Sequence, residues 1–267
     1  MTGRTRLADG VLTTYIIVFF LYLFLPLLLM SAAAFNASDT PSVMLWKGWT
    51  LDWFRALPHD ERMMQGLFNS ILVALGVISL SLPLGLSGAM ILTHLQSKFS
   101  GLLYTLLVSP ILTPGIILGI TTMIFWRDMF GVQAGLFTAM IAQTSFIASF
   151  CMLMFMARLQ RKNPSLEEAA LDLGASPLLV FRRVTLPFLG PTIFTATVVA
   201  FLQSFENYNT TFFAIGGDHT LVTEIGSRMR FGLSPIINAI GFIFMLLTII
   251  AALLYTLLKY RVRQPST

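Results

Sequence analysis

Six long apolar runs with almost no charge dominate this sequence. Each run exceeds the ~20 residues that an α-helix needs to cross the hydrocarbon core of a bilayer. Of the 267 residues, 56% are apolar and only 11% are charged, a balance that a water-soluble domain could hardly sustain. The sequence therefore predicts an all-α polytopic membrane protein with six transmembrane helices. The predicted spans are about residues 11–34, 67–93, 101–126, 134–157, 187–215 and 236–258.

One membrane domain is the simplest organisation for such a chain. No internal repeat and no low-complexity linker divides the sequence, so residues 1–267 are predicted to form a single transmembrane domain. Cys151 is the only cysteine and lies within the fourth apolar run. A disulfide framework and a cysteine-based metal site are therefore excluded.

The basic residues indicate how the spans are oriented. If the amino terminus lies inside, the inner segments carry eleven of the 17 lysines and arginines, and the outer segments carry six. The positive-inside rule then places both termini, and the segment between the fourth and fifth spans, in the cytoplasm. This topology accounts for the net charge of +5. Since no basic stripe is interleaved with aromatic residues, nothing points to nucleic acid as a partner.

A polar segment separates the fourth and fifth spans and is predicted to begin with a short helix. Ser165 and Glu168 have the S-x-x-E spacing of a capping box, so the helix is expected to start at Ser165. Asn163 and Pro164 lie just before it. Gly174 supplies the residue type that commonly ends a helix.

A second short helix is expected directly afterwards, with Ser176 as its cap and Pro177 at its first helical position. In the first helix, apolar residues recur at i, i+3, i+4 and i+7 and are flanked by acidic residues. Residues 163–187 are therefore predicted to form an amphipathic helical elbow on the membrane surface. The apolar positions are Leu166, Ala169, Ala170 and Leu173, and the acidic positions are Glu167, Glu168 and Asp172.

The elbow resembles the EAA motif of permease subunits in bacterial ABC importers of the type I, or MetI-like, fold. The match comprises Glu168-Ala169-Ala170, Gly174, Val184 and Leu186-Pro187 at the family's spacing, with Val184 where isoleucine is usual. The resemblance implies a MetI-like permease in the bacterial inner membrane, whose cytoplasmic coupling helix sits in a cleft of an ATPase subunit. The alternative is an interfacial amphipathic helix without a partner. The coupling residues that the resemblance implies are Glu167, Glu168, Ala169, Ala170, Asp172, Gly174, Leu186 and Pro187.

The chain has no ATPase motif of its own. A Walker A loop needs Gly-Lys followed by Ser or Thr, and none of the four lysines is followed by either residue. The family resemblance therefore implies that ATP and Mg are bound by a partner ATPase and that this chain holds no cofactor. The implied partners are a homologous second permease subunit, two ATP-binding subunits and an extracytoplasmic solute-binding protein.

Polar residues cluster in the fifth predicted span. Glu206 is the only Asp or Glu within any predicted span, and a charge in that environment is costly enough to indicate a function. Its neighbours recur at helical spacing, which predicts one polar stripe that lines the translocation path and attracts cations. The alternative is an acid that reaches toward the outer interface or pairs with a partner subunit. The predicted path residues are Gln203, Glu206, Asn207, Thr210 and Thr211.

Nearly the full length resembles the second permease subunit of spermidine/putrescine importers. The resemblance lies in the stretches TLDWFRAL, FNSILVAL, SPILTPGIILGI and RFGLSPIINAIG, besides the elbow. Where relatives often carry paired aspartates, this chain has Phe205-Glu206-Asn207-Tyr208. The implied solute is therefore a polyamine or a related amine-bearing or opine-like compound, and importers of iron(III), thiamine and phosphonate have similar permeases.

A transporter of another class, driven by an ion gradient, would retain uptake without ATP. The elbow argues against this secondary transporter. So does the lack of a second ionisable group inside the predicted spans, which a proton relay would need.

Overall fold

The protein is built from helices. The computed structural model describes residues 2–41, 45–95, 98–163, 165–231 and 234–263; Pro164 in the elbow and residues 232–233 before the sixth predicted span lie outside these ranges. The regular elements in the described ranges are helical, apart from an isolated antiparallel bridge between Asn36 and Trp49. The α-helices are α1 (Thr2–Ala33), α2 (Asp52–Ala56), α3 (Glu61–His94), α4 (Ser100–Leu112), α5 (Gly115–Phe130), α6 (Leu136–Leu159), α7 (Ser165–Asp172), α8 (Pro177–Val180), α9 (Leu186–Phe205), α10 (Asn209–Ala214), α11 (Leu221–Phe231) and α12 (Ile236–Arg263).

Five helical stretches among the described residues are long and apolar enough to cross a membrane. They lie in α1, α3, α6, α12 and the continuous stretch Pro177–Phe205, which contains α8 and α9. α4 and α5 are long enough only as a pair, and their axes differ by 103°. The all-α membrane architecture is confirmed, and the chain has six crossings if the bent pair crosses once.

The third predicted span, residues 101–126, is not one continuous helix, so the expectation of an unbroken helix there is wrong, while its crossing of the membrane stays a prediction. α4 ends at Leu112 and α5 begins at Gly115. Pro114 has no N–H to donate to the preceding turn, and its ring disfavours helical backbone angles in the residue before it. Thr113 accordingly takes an extended conformation, with φ −85° and ψ 129°.

The chain contains two compact units, residues 65–226 and residues 1–64 together with 227–267. The single transmembrane domain that the sequence suggests stays a prediction. In the first unit, α3, α6 and α9 contribute to one hydrophobic core. Its largest fully buried side chains are Phe155, Ile147, Met152, Leu189, Val73 and Val77.

Small residues allow α3 and α6 to pack closely in this core. A Cβ atom on Gly85 would lie 2.7 Å from the Cβ of Cys151 and 2.8 Å from the carbonyl oxygen of Ala148. Membrane helices commonly use small residues for such close approaches. Cys151 is therefore a buried packing residue.

In the second unit, a partly buried ion pair fixes the chain just before α3. Arg228 donates two hydrogen bonds to the Asp60 carboxylate, at 2.6 and 2.8 Å. Hydrogen bonding from Arg228 holds the pKa of Asp60 below its ordinary value. In the same unit, Ser31 on α1 donates to the Met245 sulfur on α12 at 3.3 Å.

Candidate functional site

The elbow begins where the sequence predicts. α7 starts at Ser165, and the side-chain oxygen of Asn163 accepts a hydrogen bond from the Ser165 N–H at 3.1 Å. This bond satisfies a backbone donor at the helix start, where no carbonyl of a preceding turn is available. Asn163 therefore caps the helix, and Ser165, which the sequence predicts as the cap in a capping box, is instead its first residue.

Gly174 ends the first helix of the elbow, as predicted. Its φ of +84° lies in the left-handed region that glycine adopts without strain. The N–H of Gly174 donates to the Leu171 carbonyl at 2.9 Å, and the N–H of Ala175 donates to the Ala170 carbonyl at 3.1 Å. This pair of bonds is the Schellman arrangement, which turns the chain sharply at the end of a helix.

The second half of the elbow runs without a break into the fifth span. Ser176 caps α8 by accepting a hydrogen bond from the Leu179 N–H at 3.4 Å, and Pro177 occupies the first helical position, as predicted. A π-helical stretch, Phe181–Thr185, then connects α8 to α9, which begins at Leu186. The backbone therefore stays helical from Pro177 to Phe205.

A buried polar cluster fixes the base of the elbow. The Lys162 ammonium pairs with the Glu167 carboxylate and donates to the Thr185 hydroxyl at 3.1 Å. Thr185 in turn donates to the same Glu167 carboxylate at 2.5 Å. The Lys162 side chain is only 7% exposed and that of Glu167 is 25% exposed, so this Lys162–Glu167–Thr185 clasp is largely shielded from water.

The clasp also determines the charge state of its acid. Partial burial raises the pKa of Glu167, but hydrogen bonds from Lys162 and Thr185 outweigh that effect, and attraction to His94 adds to them. The net result is a pKa below the ordinary value for glutamate. Glu167 is therefore ionised at neutral pH and bound to both ends of the elbow.

Arg158 supplies a second attachment close by. Its guanidinium carbon lies 4.2 Å from the centre of the Phe188 ring, in cation–π geometry. Nε and Nη2 of Arg158 also donate to the Phe188 carbonyl, each at 3.3 Å. The last turn of α6 is thus joined to the first turn of α9, on either side of the elbow.

The apolar stripe of α7 faces outward. Leu166 is 56% exposed and Leu173 is 89% exposed, and Leu178 on α8 is 65% exposed. Glu168, Ala169 and Asp172 are exposed as well. Contiguous exposed apolar residues with charged neighbours are typical of a protein-binding surface.

The fifth predicted span, residues 187–215, breaks near its C-terminal end. α9 ends at Phe205 and α10 begins at Asn209. The side-chain oxygen of Asn207 accepts hydrogen bonds from the backbone N–H groups of Thr210 at 3.0 Å and Thr211 at 3.3 Å. Because Asn207 caps a new helix, the prediction of one continuous polar stripe is wrong.

The break separates the predicted path residues into two groups. Gln203, Glu206 and Asn207 line a pocket of about 390 Å³, in which the Glu206 residue is exposed. Thr210 and Thr211 are only 1% and 0% exposed and belong to the protein interior. The complete lining of this Glu206 pocket is Phe146, Gln203, Glu206, Asn207, Tyr208 and Asn209.

Sequence reasoning missed two residues on α6. Phe146 lines the Glu206 pocket. Gln143, three residues earlier on the same helix, is fully buried. Gln143 donates to Thr211 and accepts from Ser204. Gln143 is the only amide side chain in the fourth apolar run, and this isolation is the sequence signal that could have identified it.

Comparison with known proteins identifies the family. The profile described as "Binding-protein-dependent transport system inner membrane component" matches residues 81–264. The chain belongs to this family. The resemblance to MetI-like ABC importer permeases is therefore confirmed, and the chain is an inner membrane component of a transport system. Permeases of this kind work with a second permease, an ATPase and a binding protein.

Several curated relatives match this family member over most of its length. The putrescine transport system permease protein PotI of Escherichia coli K12 is 29% identical over 83% of this chain and 81% of the relative. The spermidine/putrescine transport system permease protein PotC homolog of Mycoplasma genitalium is 32% identical over 73% of this chain and 69% of the relative. PotC of E. coli K12 is 25% identical over 94% and 92%.

Solved structures agree on the fold. A chain of a bacterial ABC transporter involved in the import of the acidic polysaccharide alginate has a TM-score of 0.71 at 18% identity, covering 98% of this chain and 97% of that one. A chain of the inward-facing MetNI methionine ABC transporter has a TM-score of 0.58 at 19% identity, with coverage of 80% and 97%. The predicted ABC importer permease fold is confirmed.

Proposed function

We propose that this chain is a transmembrane subunit of an ATP-driven importer of polyamines, such as putrescine and spermidine. The observation that carries the proposal is the Glu206 pocket, which presents one exposed carboxylate near the outer end of a membrane span. The names of the relatives supply the solute class. A homologous second permease, two ATP-binding subunits and an extracytoplasmic solute-binding protein complete the proposed importer.

The exposed face of the elbow is the proposed contact with the ATPase. ATP and Mg bind in that partner, and this chain holds no cofactor. The elbow then lies in the cytoplasm together with both termini, as the distribution of basic residues favours. Its exposed apolar side chains dock in the ATPase while the clasp transmits the movement to α6 and α9. The residues assigned to this coupling are Glu167, Glu168, Ala169, Ala170, Asp172, Gly174, Leu186 and Pro187.

The Glu206 pocket is the proposed solute path within this subunit. The Glu206 carboxylate attracts an ammonium group, and the amide of Gln203 offers an oxygen atom as a hydrogen-bond acceptor. Asn207 completes the polar side of the pocket, with its own oxygen accepting from the first turn of α10. The rings of Phe146 and Tyr208 add faces that attract cations. Thr210 and Thr211 support the path from behind, since they are buried. A single carboxylate suits one ammonium end of a solute at a time.

Uptake into proteoliposomes tests the proposal. The complete complex and its binding protein are reconstituted, and labelled putrescine and spermidine are supplied with ATP either enclosed or omitted. Strictly ATP-dependent uptake supports a polyamine importer. Uptake driven by an imposed ion gradient without ATP would indicate a secondary transporter instead. No uptake, with ATP hydrolysis still stimulated by the loaded binding protein, would reject polyamines and keep the importer.

A further inference from the structure

Gln143 is a fully buried amide in the N-terminal third of α6, a helix that contributes to the hydrophobic core. A buried amide is costly unless its donor and acceptor atoms both find partners. Nε2 of Gln143 donates to the Thr211 hydroxyl at 2.6 Å, and Oε1 accepts from the Ser204 hydroxyl at 2.5 Å. One side chain of α6 is therefore bonded to two residues of the fifth predicted span.

These two partners lie on opposite sides of the helix break. Ser204 belongs to the last turn of α9, whereas Thr211 belongs to the first turn of α10. Thr211 also contacts the Asn207 side-chain oxygen through its N–H at 3.3 Å and its hydroxyl at 3.4 Å. Gln143 is thus connected through one hydroxyl to a residue that lines the Glu206 pocket.

The packing around α10 holds it in a single register. Thr138, on the same helix as Gln143, donates to the Ala214 carbonyl at 2.6 Å. On the other side, a Cβ atom on Gly119 would lie 2.5 Å from the Thr210 carbonyl oxygen, so α5 contacts the backbone of α10 directly. α10 therefore has little freedom to shift relative to α6 while these contacts persist.

We propose that Gln143 is a positioning residue of the solute path. By bridging Ser204 and Thr211 it holds the break between α9 and α10 in its observed geometry. That geometry fixes the spacing between the Glu206 carboxylate and Phe146, which lies one turn after Gln143 on α6. The pocket thereby keeps a constant width for the group that it binds. The expected effect of Gln143 on transport rests on the proposed function of the pocket, whereas its expected effect on the pocket geometry does not.

Two variants separate positioning from folding. Gln143→Leu removes the bridge and leaves the Ser204 and Thr211 hydroxyls buried without it. In the triple variant Gln143→Met/Ser204→Ala/Thr211→Val, all three polar groups are replaced by apolar ones of similar shape, an exchange that is often nearly neutral for stability. Ser149→Ala is the matched control, because Ser149 on α6 donates to the Leu107 carbonyl at 2.6 Å without contacting the pocket.

The accessibility of the pocket is measured by thiol labelling of the reconstituted complex. Cys151 is the only cysteine, so Cys151→Ala gives a background in which Asn209→Cys in the pocket lining is the sole thiol of this chain. We expect both Gln143 variants to change the maleimide labelling rate by about tenfold, the effect of a shift of about 1.4 kcal/mol in the open population. ATP-driven uptake should fall with them, and Ser149→Ala should change neither quantity.

The triple variant decides the question. If it melts near the wild-type temperature but keeps the altered labelling rate and the low uptake, Gln143 positions the path. Wild-type labelling and uptake in that variant would overturn the inference, because the amide would then serve folding alone. A changed labelling rate in a complex that never transports polyamines would support the role of Gln143 and refute the polyamine assignment.

Discussion

Removing the acid of the clasp should uncouple ATP hydrolysis from transport. Glu167→Gln keeps the shape of the side chain but removes the charge that Lys162 and Thr185 both contact. A hydrogen bond to a charged group contributes about 1.5–3 kcal/mol, and partial exposure of Glu167 favours the lower end. A loss of about 1.5 kcal/mol corresponds to about a tenfold change in the equilibrium constant between elbows held by the clasp and elbows released from it.

The assay measures labelled solute transported per ATP hydrolysed in proteoliposomes. We expect this ratio to fall by about tenfold in Glu167→Gln, at the 1.5 kcal/mol derived above, while ATP hydrolysis continues. Lys162→Met should cause a similar loss. The double variant should be no worse than either single variant, because each of the three variants removes the same Lys162–Glu167 ion pair. Arg161→Gln, which removes a neighbouring exposed charge, is the control. Independent, additive losses would refute the clasp as a unit.

The lowered pKa of the Glu167 carboxyl predicts that the stability of the complex depends on pH. Its folded-state pKa is lowered, so the clasp contributes its full stability above the unfolded pKa of about 4.3 and loses it as the pH falls through the folded value. The difference in melting temperature between the wild-type complex and Glu167→Gln should therefore be constant near neutral pH. It should vanish in strong acid, below both pKa values. A difference that persists there would contradict the assigned cause.

Three further predictions follow from single residues. Glu206→Gln should weaken uptake of a cationic solute and leave complex assembly intact, and unchanged rate and apparent affinity would remove Glu206 from the path. Glu168→Arg should abolish ATPase binding or coupling by reversing an exposed charge on the elbow; pull-down of the ATPase and uptake report it, and normal transport would refute the contact. Gly119→Ala should lower the stability of the purified complex by about 1–3 kcal/mol through overpacking against Thr210. Gly190→Ala, where a Cβ meets open space inside α9, should not lower the melting temperature.

The elbow was predictable because its signals are local. The residue types that begin and end α7 and α8 act within one turn, and Gly174, Ser176 and Pro177 do so in the structure as predicted. At the start of α7 the helix begins as predicted, but Asn163 is the cap in place of Ser165. The outward direction of Leu173 was not predictable in this way. An apolar stripe indicates a contact without saying whether the partner is the membrane, the same chain or another protein.

The helix breaks at Thr113-Pro114 and at Asn207 show where residue periodicity fails to predict the end of a helix. Thr113-Pro114 carried a local signal for a bend, but the average hydropathy of the run concealed it. At Asn207, the spacing that predicts a polar stripe is also the spacing at which a side chain caps the next helix. Only tertiary contacts distinguish the two outcomes. Gln143 holds residues from both sides of this break, and its partners lie 61 and 68 positions away.

The most direct test of the account is the initial rate of labelled putrescine uptake by the reconstituted complex, with enclosed ATP and loaded binding protein. The account predicts uptake that requires ATP, is reduced by unlabelled spermidine and is lowered by Glu206→Gln. Uptake that persists without ATP, or that iron(III) or thiamine inhibits while spermidine does not, would contradict a polyamine importer built on this chain.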